Sequence, residues 1–196
     1  MSRLLIEYSP ISYGQQLIRE ASEPHTPLIL RNVVLQRADA KNQNGRVYPR
    51  EILMREAKKY HEEFVKQRRA LGELDHPESS VVNLRNVCSN IVRMEINGDT
   101  VVGDIHILST PAGHIVRELI KNNIRLGVSS RGLGSIKQVS EGTVEVQDDF
   151  NLICFDIVSN PSTYGAFINE SVIGTARSTP ITRLNSLIYD FLGEVQ

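Results

Sequence analysis

RLGVSSRGLG, residues 125–134, sets two serines and three glycines within ten positions. Such a stretch is a turn, a phosphate cradle or the seat of a nucleophile. A phosphate-binding loop ends in Gly-Lys-Ser/Thr and opens a helix. GVSSRGLGS has no lysine at that place. A dinucleotide fingerprint sits between a strand and a helix. Here Gly127, Gly132 and Gly134 have the wrong spacing, and residues 133–147 read as one or two strands. Two readings stay open. One is strand–turn–strand without chemistry, with glycines permitting unusual backbone angles. The other is a nucleophile, which needs a base from elsewhere in the chain.

Around this stretch the pattern is of short strands with helices set between them. PLILRNVVLQ, 27–36, is rich in Leu, Ile and Val and reads as a strand. The polar loop 38–50 carries a turn-forming Asn44–Gly45 step, and Pro49 opens a helix whose Leu53, Ala57, Tyr60 and Phe64 form an apolar stripe. Residues 90–110 read as a hairpin turning at Asn97–Gly98–Asp99. Pro111 opens another helix, with Ile115, Leu119 and Val116 facing inward, and 151–163 is a further strand. Strict strand–helix alternation is missing, so a doubly wound sheet fits poorly. The expected class is mainly β with flanking helices (α+β). We divide the chain into a peripheral arm (1–27), a main domain (28–165) and a C-terminal linker with a terminal helix (166–196).

The totals narrow the function. The 196 residues carry a net charge of −1, which disfavours a nucleic-acid binder working through a broad positive field, although KQRR at 66–69 is a local basic patch. No apolar run reaches the ~18 residues of a membrane span. MSRLLIEYSP reads as having no signal peptide. Cys88 and Cys154 lie far apart in apolar surroundings and read as reduced packing residues, with no third thiolate to suggest a metal site. No cofactor motif is found.

Five histidines compete as the base. His61 sits in a charged helix, His25 in the arm, His106 in a strand and His114 near a helix start. His76 differs, because LGELDHPESS places it in a Pro-stiffened loop beside Asp75 and Glu73. Loops on a rigid scaffold often carry catalytic groups. A metal-dependent hydrolase using His76, Asp75 and His106 lacks a convincing ligand set.

GELDHP at 72–77, GVSSRG at 127–132, FDIVSNPST at 155–163 and NQNGRVYP at 42–49 together resemble the prohead core proteases of large tailed phages. That family is similar to the herpesvirus assemblins, and the resemblance implies a herpesvirus-protease-like closed β-barrel surrounded by helices. It implies His76 as general base and Ser129, in the glycine–aliphatic–serine pattern, as nucleophile in preference to Ser130. Asp156 is the candidate third member. Asp148 and Asp149 are alternatives, and His106 would replace an acid if the site resembled the two-histidine assemblins. Backbone N–H groups of the Ser130–Gly134 run, with Arg131 and Gly132, are candidates for oxyanion support. For Arg131 a salt bridge that locks the loop is the competing reading.

The resemblance further implies a serine endopeptidase that cleaves after Glu in Leu/Ile-x-Glu segments. Its substrates would be the internal scaffold or core proteins, the major capsid protein and itself. The place of action would be the interior of the assembling prohead in the host cytoplasm, with self-association expected. Ile18-Arg19-Glu20, Leu71-Gly72-Glu73 and Leu192-Gly193-Glu194 match the cleavage pattern, and Glu20 and Glu194 are the candidate self-processing sites. The rival reading is a non-catalytic scaffold or shell-assembly protein of the same fold.

Overall fold

The computed structural model describes residues 3–11, 14–23, 25–42, 44–75, 77 and 79–159. Its centre is the stretch quoted above. Gly127–Gly134 forms a strand, β7, in the middle of a three-stranded antiparallel sheet. One neighbour, β1, runs from Arg3 to Pro10, and the other, β10, from Asn151 to Val158. The strand read at 151–163 does form, as β10, as far as Val158. No strand was expected at 3–10, yet β1 pairs with β7 along its whole length, from Arg3 opposite Gly134 to Pro10 opposite Gly127.

A second sheet has the order β2-β6-β5-β4, where β2 is Leu28–Arg37, β4 Leu71–Glu73, β5 Val87–Asn97 and β6 Thr100–Ile107. β5 and β6 are the expected hairpin, with Asn97 paired to Thr100 across a two-residue turn. Two-residue loops suit the right-handed twist of paired strands, and Gly98 supplies the positive φ they demand. A small third sheet joins β3 (Arg46–Val47), β9 (Thr143–Val146) and β8 (Ile136–Ser140).

The expected closed barrel is not there: the fold is mixed α/β with several antiparallel sheets, and no sheet closes on itself. A barrel needs a continuous hydrogen-bonded ring of strands. The first two sheets instead meet at a single parallel bridge, Leu74 to Ile157. β4 is only three residues long, and Asp75 turns away from it with a φ of 63°.

Helices cover the sheets. α2, Arg50–Tyr60, begins directly after Pro49 and buries Leu53, Ala57 and Tyr60, as its spacing predicts. It widens into a π-helical turn over His61–Val65, where Phe64 stacks on Tyr60 at 5.0 Å. α3, Pro111–Lys121, is capped by the Thr110 hydroxyl, which accepts the Gly113 N–H at 3.1 Å. Its buried residues are Ala112, Val116 and Ile120; Ile115, expected inside, is 52 % exposed. α1, Gln15–Ser22, rests on α3, and Arg117 of α3 donates to the carbonyls of Glu20, Ala21, Glu23 and Thr26.

The polar loop after β2 fastens β1. Buried Glu7 accepts from Tyr48 and Arg46 at 2.9 Å each, from Asn44 at 3.0 Å, and from Asn42. Burial raises the Glu7 carboxyl above its usual range, and the Arg46 contact only partly offsets this.

Where β4 crosses β10 the backbones touch. A Cβ on Gly72 would stand 2.1 Å from the Phe155 carbonyl oxygen and 2.6 Å from the Ser89 hydroxyl. The carbonyl belongs to a strand and cannot swing aside. Gly72→Ala is therefore expected to cost about 1–3 kcal/mol, read as a lowered thermal midpoint, because overpacked backbone must shift.

Candidate active site

The alternation of β7 sends its two serines to opposite faces. Ser130 lies opposite Glu7 on β1 and Phe155 on β10, on the face that carries Leu5, Val128 and Ile157. Ser129 lies directly opposite Asp156, on the face that carries Arg131 and Cys154. Ser129 is fully buried, and its hydroxyl has no hydrogen-bond partner among the described residues. A buried hydroxyl left unpaired costs free energy.

Beside it is a buried ion cluster. Arg131, Glu73 and Asp156 are each 0 % exposed. Arg131 Nε lies 3.0 Å from Asp156 Oδ2, and its Nη2 lies 3.1 Å from Glu73 Oε2 and 3.2 Å from Asp156 Oδ1. The Glu73 N–H donates to Asp156 Oδ1 at 3.0 Å. Burial works against the Arg131 charge, but Cys154, Asp156 and Glu73 outweigh it and hold the guanidinium above its usual value. Of the two sequence readings of Arg131, the salt bridge is the one these distances describe.

The cluster also anchors the segment after β4. The Asp75 N–H donates to Ile157 O at 2.8 Å, Arg131 Nη1 to Ser79 O at 2.7 Å, and the Asn83 N–H to Glu73 Oε1. His76 itself lies outside the described residues, as does Glu194. His106 stands half-buried on β6, opposite Asn90 and Ile29, in the other sheet with β5 and β4 between it and β10. Asp148 is exposed and pairs with Arg55, while Asp149 accepts from the Ser135 N–H and hydroxyl, so both serve the β9–β10 turn. The Ser130–Gly134 amides belong to a central strand and face neighbours on both sides. Gly132 leaves room for Phe150, whose ring edge would be 2.4 Å from an added Cβ.

Both cysteines are free and buried, as expected. Burial pushes the Cys88 thiol up to about 12 and raises that of Cys154 further. No helix among the described residues is long and apolar enough to cross a membrane, and no group of three or more His, Cys, Asp and Glu among them is placed to hold a metal.

Residues 15–178 match the family described as prohead core protein serine protease. The chain belongs to that family. It is 34 % identical over 145 residues to the prohead core protein protease of Enterobacteria phage T4, covering 71 % of this chain and 68 % of the relative. Its fold is similar to the solved structure of the bacteriophage T4 capsid assembly protease, with a TM-score of 0.68, 27 % identity, and coverage of 82 % of this chain and 99 % of that one. Family membership makes this a protease of the prohead-maturation class. The residue that sequence reading undervalued is Glu73, weighed only as a neighbour of His76 and as a cleavage match. Its one sequence signal was an acid next to apolar residues in a segment read as a loop.

Proposed function

We propose that the protein is a serine endopeptidase of prohead maturation in which Ser129 attacks, His76 takes its proton and Asp156 orients His76. The observation that carries the reading is the pairing of Ser129 with Asp156 across β7 and β10, with the Ser129 hydroxyl unpaired. Support for His76 is its place in the sequence directly after Asp75, whose N–H is tied to Ile157, next in chain to Asp156. An unassisted serine hydroxyl is a poor nucleophile. As its oxygen adds to the scissile carbonyl, its proton passes to the imidazole, and the imidazolium then protonates the departing amine. Water, deprotonated by the same imidazole, releases the acyl group and restores the serine. Asp156, held by Arg131, stabilises the imidazolium.

The substrates of this reading are scaffold or core proteins and the major capsid protein, cut after Glu in Leu/Ile-x-Glu segments within the prohead by a self-associating enzyme. Ser129 is sealed from solvent, so substrate access requires it to be uncovered, in keeping with restraint before assembly. Of the self-processing matches, Glu73 is wholly buried in β4. Glu20 lies in α1 with its carbonyl held by Arg117, so that turn must unwind before it is cut.

The test is incubation of the purified protein with a peptide containing Leu-x-Glu, with and without chelator, reading products and termini by mass spectrometry. We expect cleavage after Glu in both, and trimming after Glu20 or Glu194. A chelator-sensitive activity would favour a metal hydrolase, and no cleavage under any condition that uncovers the site would favour the non-catalytic scaffold.

A further inference from the structure

The cluster of Glu73, Arg131 and Asp156 sets two carboxylates against one guanidinium, sealed from water on the Ser129 face of β7. Asp156 already has a guanidinium partner, so Glu73 is not needed to neutralise it. Glu73 also reaches further than a simple ion pair. Its carboxylate holds Arg131 and the Asn83 N–H, and its own N–H holds Asp156. One residue thus ties the third member of the site, its guanidinium and the far end of the 75–83 segment.

We propose that Glu73 is a positioning and charge-balancing residue of the site: it fixes Asp156 through Arg131 and leaves one negative charge in excess beside Ser129, the counter-charge for the cation formed when the nucleophile gives up its proton. This rests on the reading of Ser129 as nucleophile with a histidine as base.

Three titratable neighbours of the cluster add no charge of their own. Among the described residues, Cys154 on β10, Cys88 on β5 and Tyr60 on α2 interact electrostatically with Asp156, and burial raises all three so that they stay neutral across the working range. Arg131 is the cation in contact with the carboxylates, and Asp75, on the exposed side, adds a further acid. A negative charge in excess favours the protonated form of a nearby imidazole. The sign follows directly. The base must be neutral to act, so its pKa sets the acid limb of kcat/KM. Removing a negative charge lowers that pKa and moves the limb to lower pH, while the cation formed in the reaction loses stabilisation.

The experiment compares pH profiles of Glu73→Gln and Glu73→Asp with the unaltered protein. For Glu73→Gln we expect the acid limb to move down by about one pH unit and kcat to fall about tenfold or more. For Glu73→Asp, which keeps the charge but shortens the reach, we expect kcat to fall with the limb unmoved. A limb unmoved in Glu73→Gln, or moved equally in both, overturns the proposal in favour of a packing role. Should Glu73→Gln fail to fold, Glu73→Asp carries the test alone: kcat must fall with the limb of the unaltered protein kept, and a shifted limb there also overturns the proposal. Ser129→Ala and His76→Ala run alongside. Activity surviving in either one refutes the underlying reading whatever Glu73 does.

Discussion

Ser129→Ala is expected to abolish peptide cleavage and to leave the protein as stable as before, or slightly more so. In the proposed mechanism Ser129 is the nucleophile, and its loss removes the covalent route and is expected to cut kcat by about 10⁴-fold or more. The stability half follows from the surroundings. The Ser129 hydroxyl is buried without a hydrogen-bond partner, so deleting it removes an unsatisfied group and breaks no bond among the described residues. The gain is about 0–1 kcal/mol, since removing an unmade hydrogen bond recovers desolvation at the cost of a small void. Ser130→Ala is the control. Ser130 points to the opposite face, towards Glu7 and Phe155, and its loss should leave most activity in place. The pair is measured by product formation and thermal melting. Full activity in Ser129→Ala would remove Ser129 from the mechanism, and inactivity of Ser130→Ala in a well-folded protein would give Ser130 a part in it.

Arg131→Met is expected to be the most damaging single change to the fold. It fills similar space but leaves Glu73 and Asp156 facing each other, both 0 % exposed, without their guanidinium. Breaking a buried ion pair from one side costs about 3–5 kcal/mol because a charge is left uncompensated. It also strips the anchor from the Ser79 carbonyl. For a domain of this size each kcal/mol is worth about 2–4 °C, so the melting point should fall by about 10 °C. Arg131→Lys should recover little. An ammonium cannot reproduce the fork that reaches Asp156, Glu73 and Ser79 together. A melting point within a degree or two of the parent in Arg131→Met would mean that the cluster contributes little to stability.

Elements whose burial pattern is local were legible in the sequence. The β5–β6 hairpin shows its turn residues, α2 its Pro49 start and its Leu53–Ala57–Tyr60 stripe, and β10 its apolar run. β1 was not, because its inward Leu5 and Glu7 include a charge that only the loop 42–48 makes tolerable. On α3, apolarity pointed to Ile115 as well as to Val116, whereas packing turned Val116 and Ile120 inward and left Ile115 exposed. The barrel came from resemblance, and closure depends on edge-to-edge hydrogen bonds that no residue pattern encodes. In the site, the preference for Ser129 over Ser130 came from the resemblance; the alternation of β7 is what sends the two to opposite faces. The meeting of Glu73 with Arg131 was beyond reach, since it joins residues 58 apart through the crossing of two sheets.

The clasp on Glu7 bears on what self-processing would leave behind. β1 is held to β7 over its whole length, and Glu7 is bonded to Asn42, Asn44, Arg46 and Tyr48, all beyond a cut at Glu20. Scission there would therefore yield a nicked, two-fragment protein rather than a shortened one. The severed N-terminal peptide would remain as a non-covalent subunit, completing the sheet that carries Ser129 and shielding the far edge of β7 from other chains.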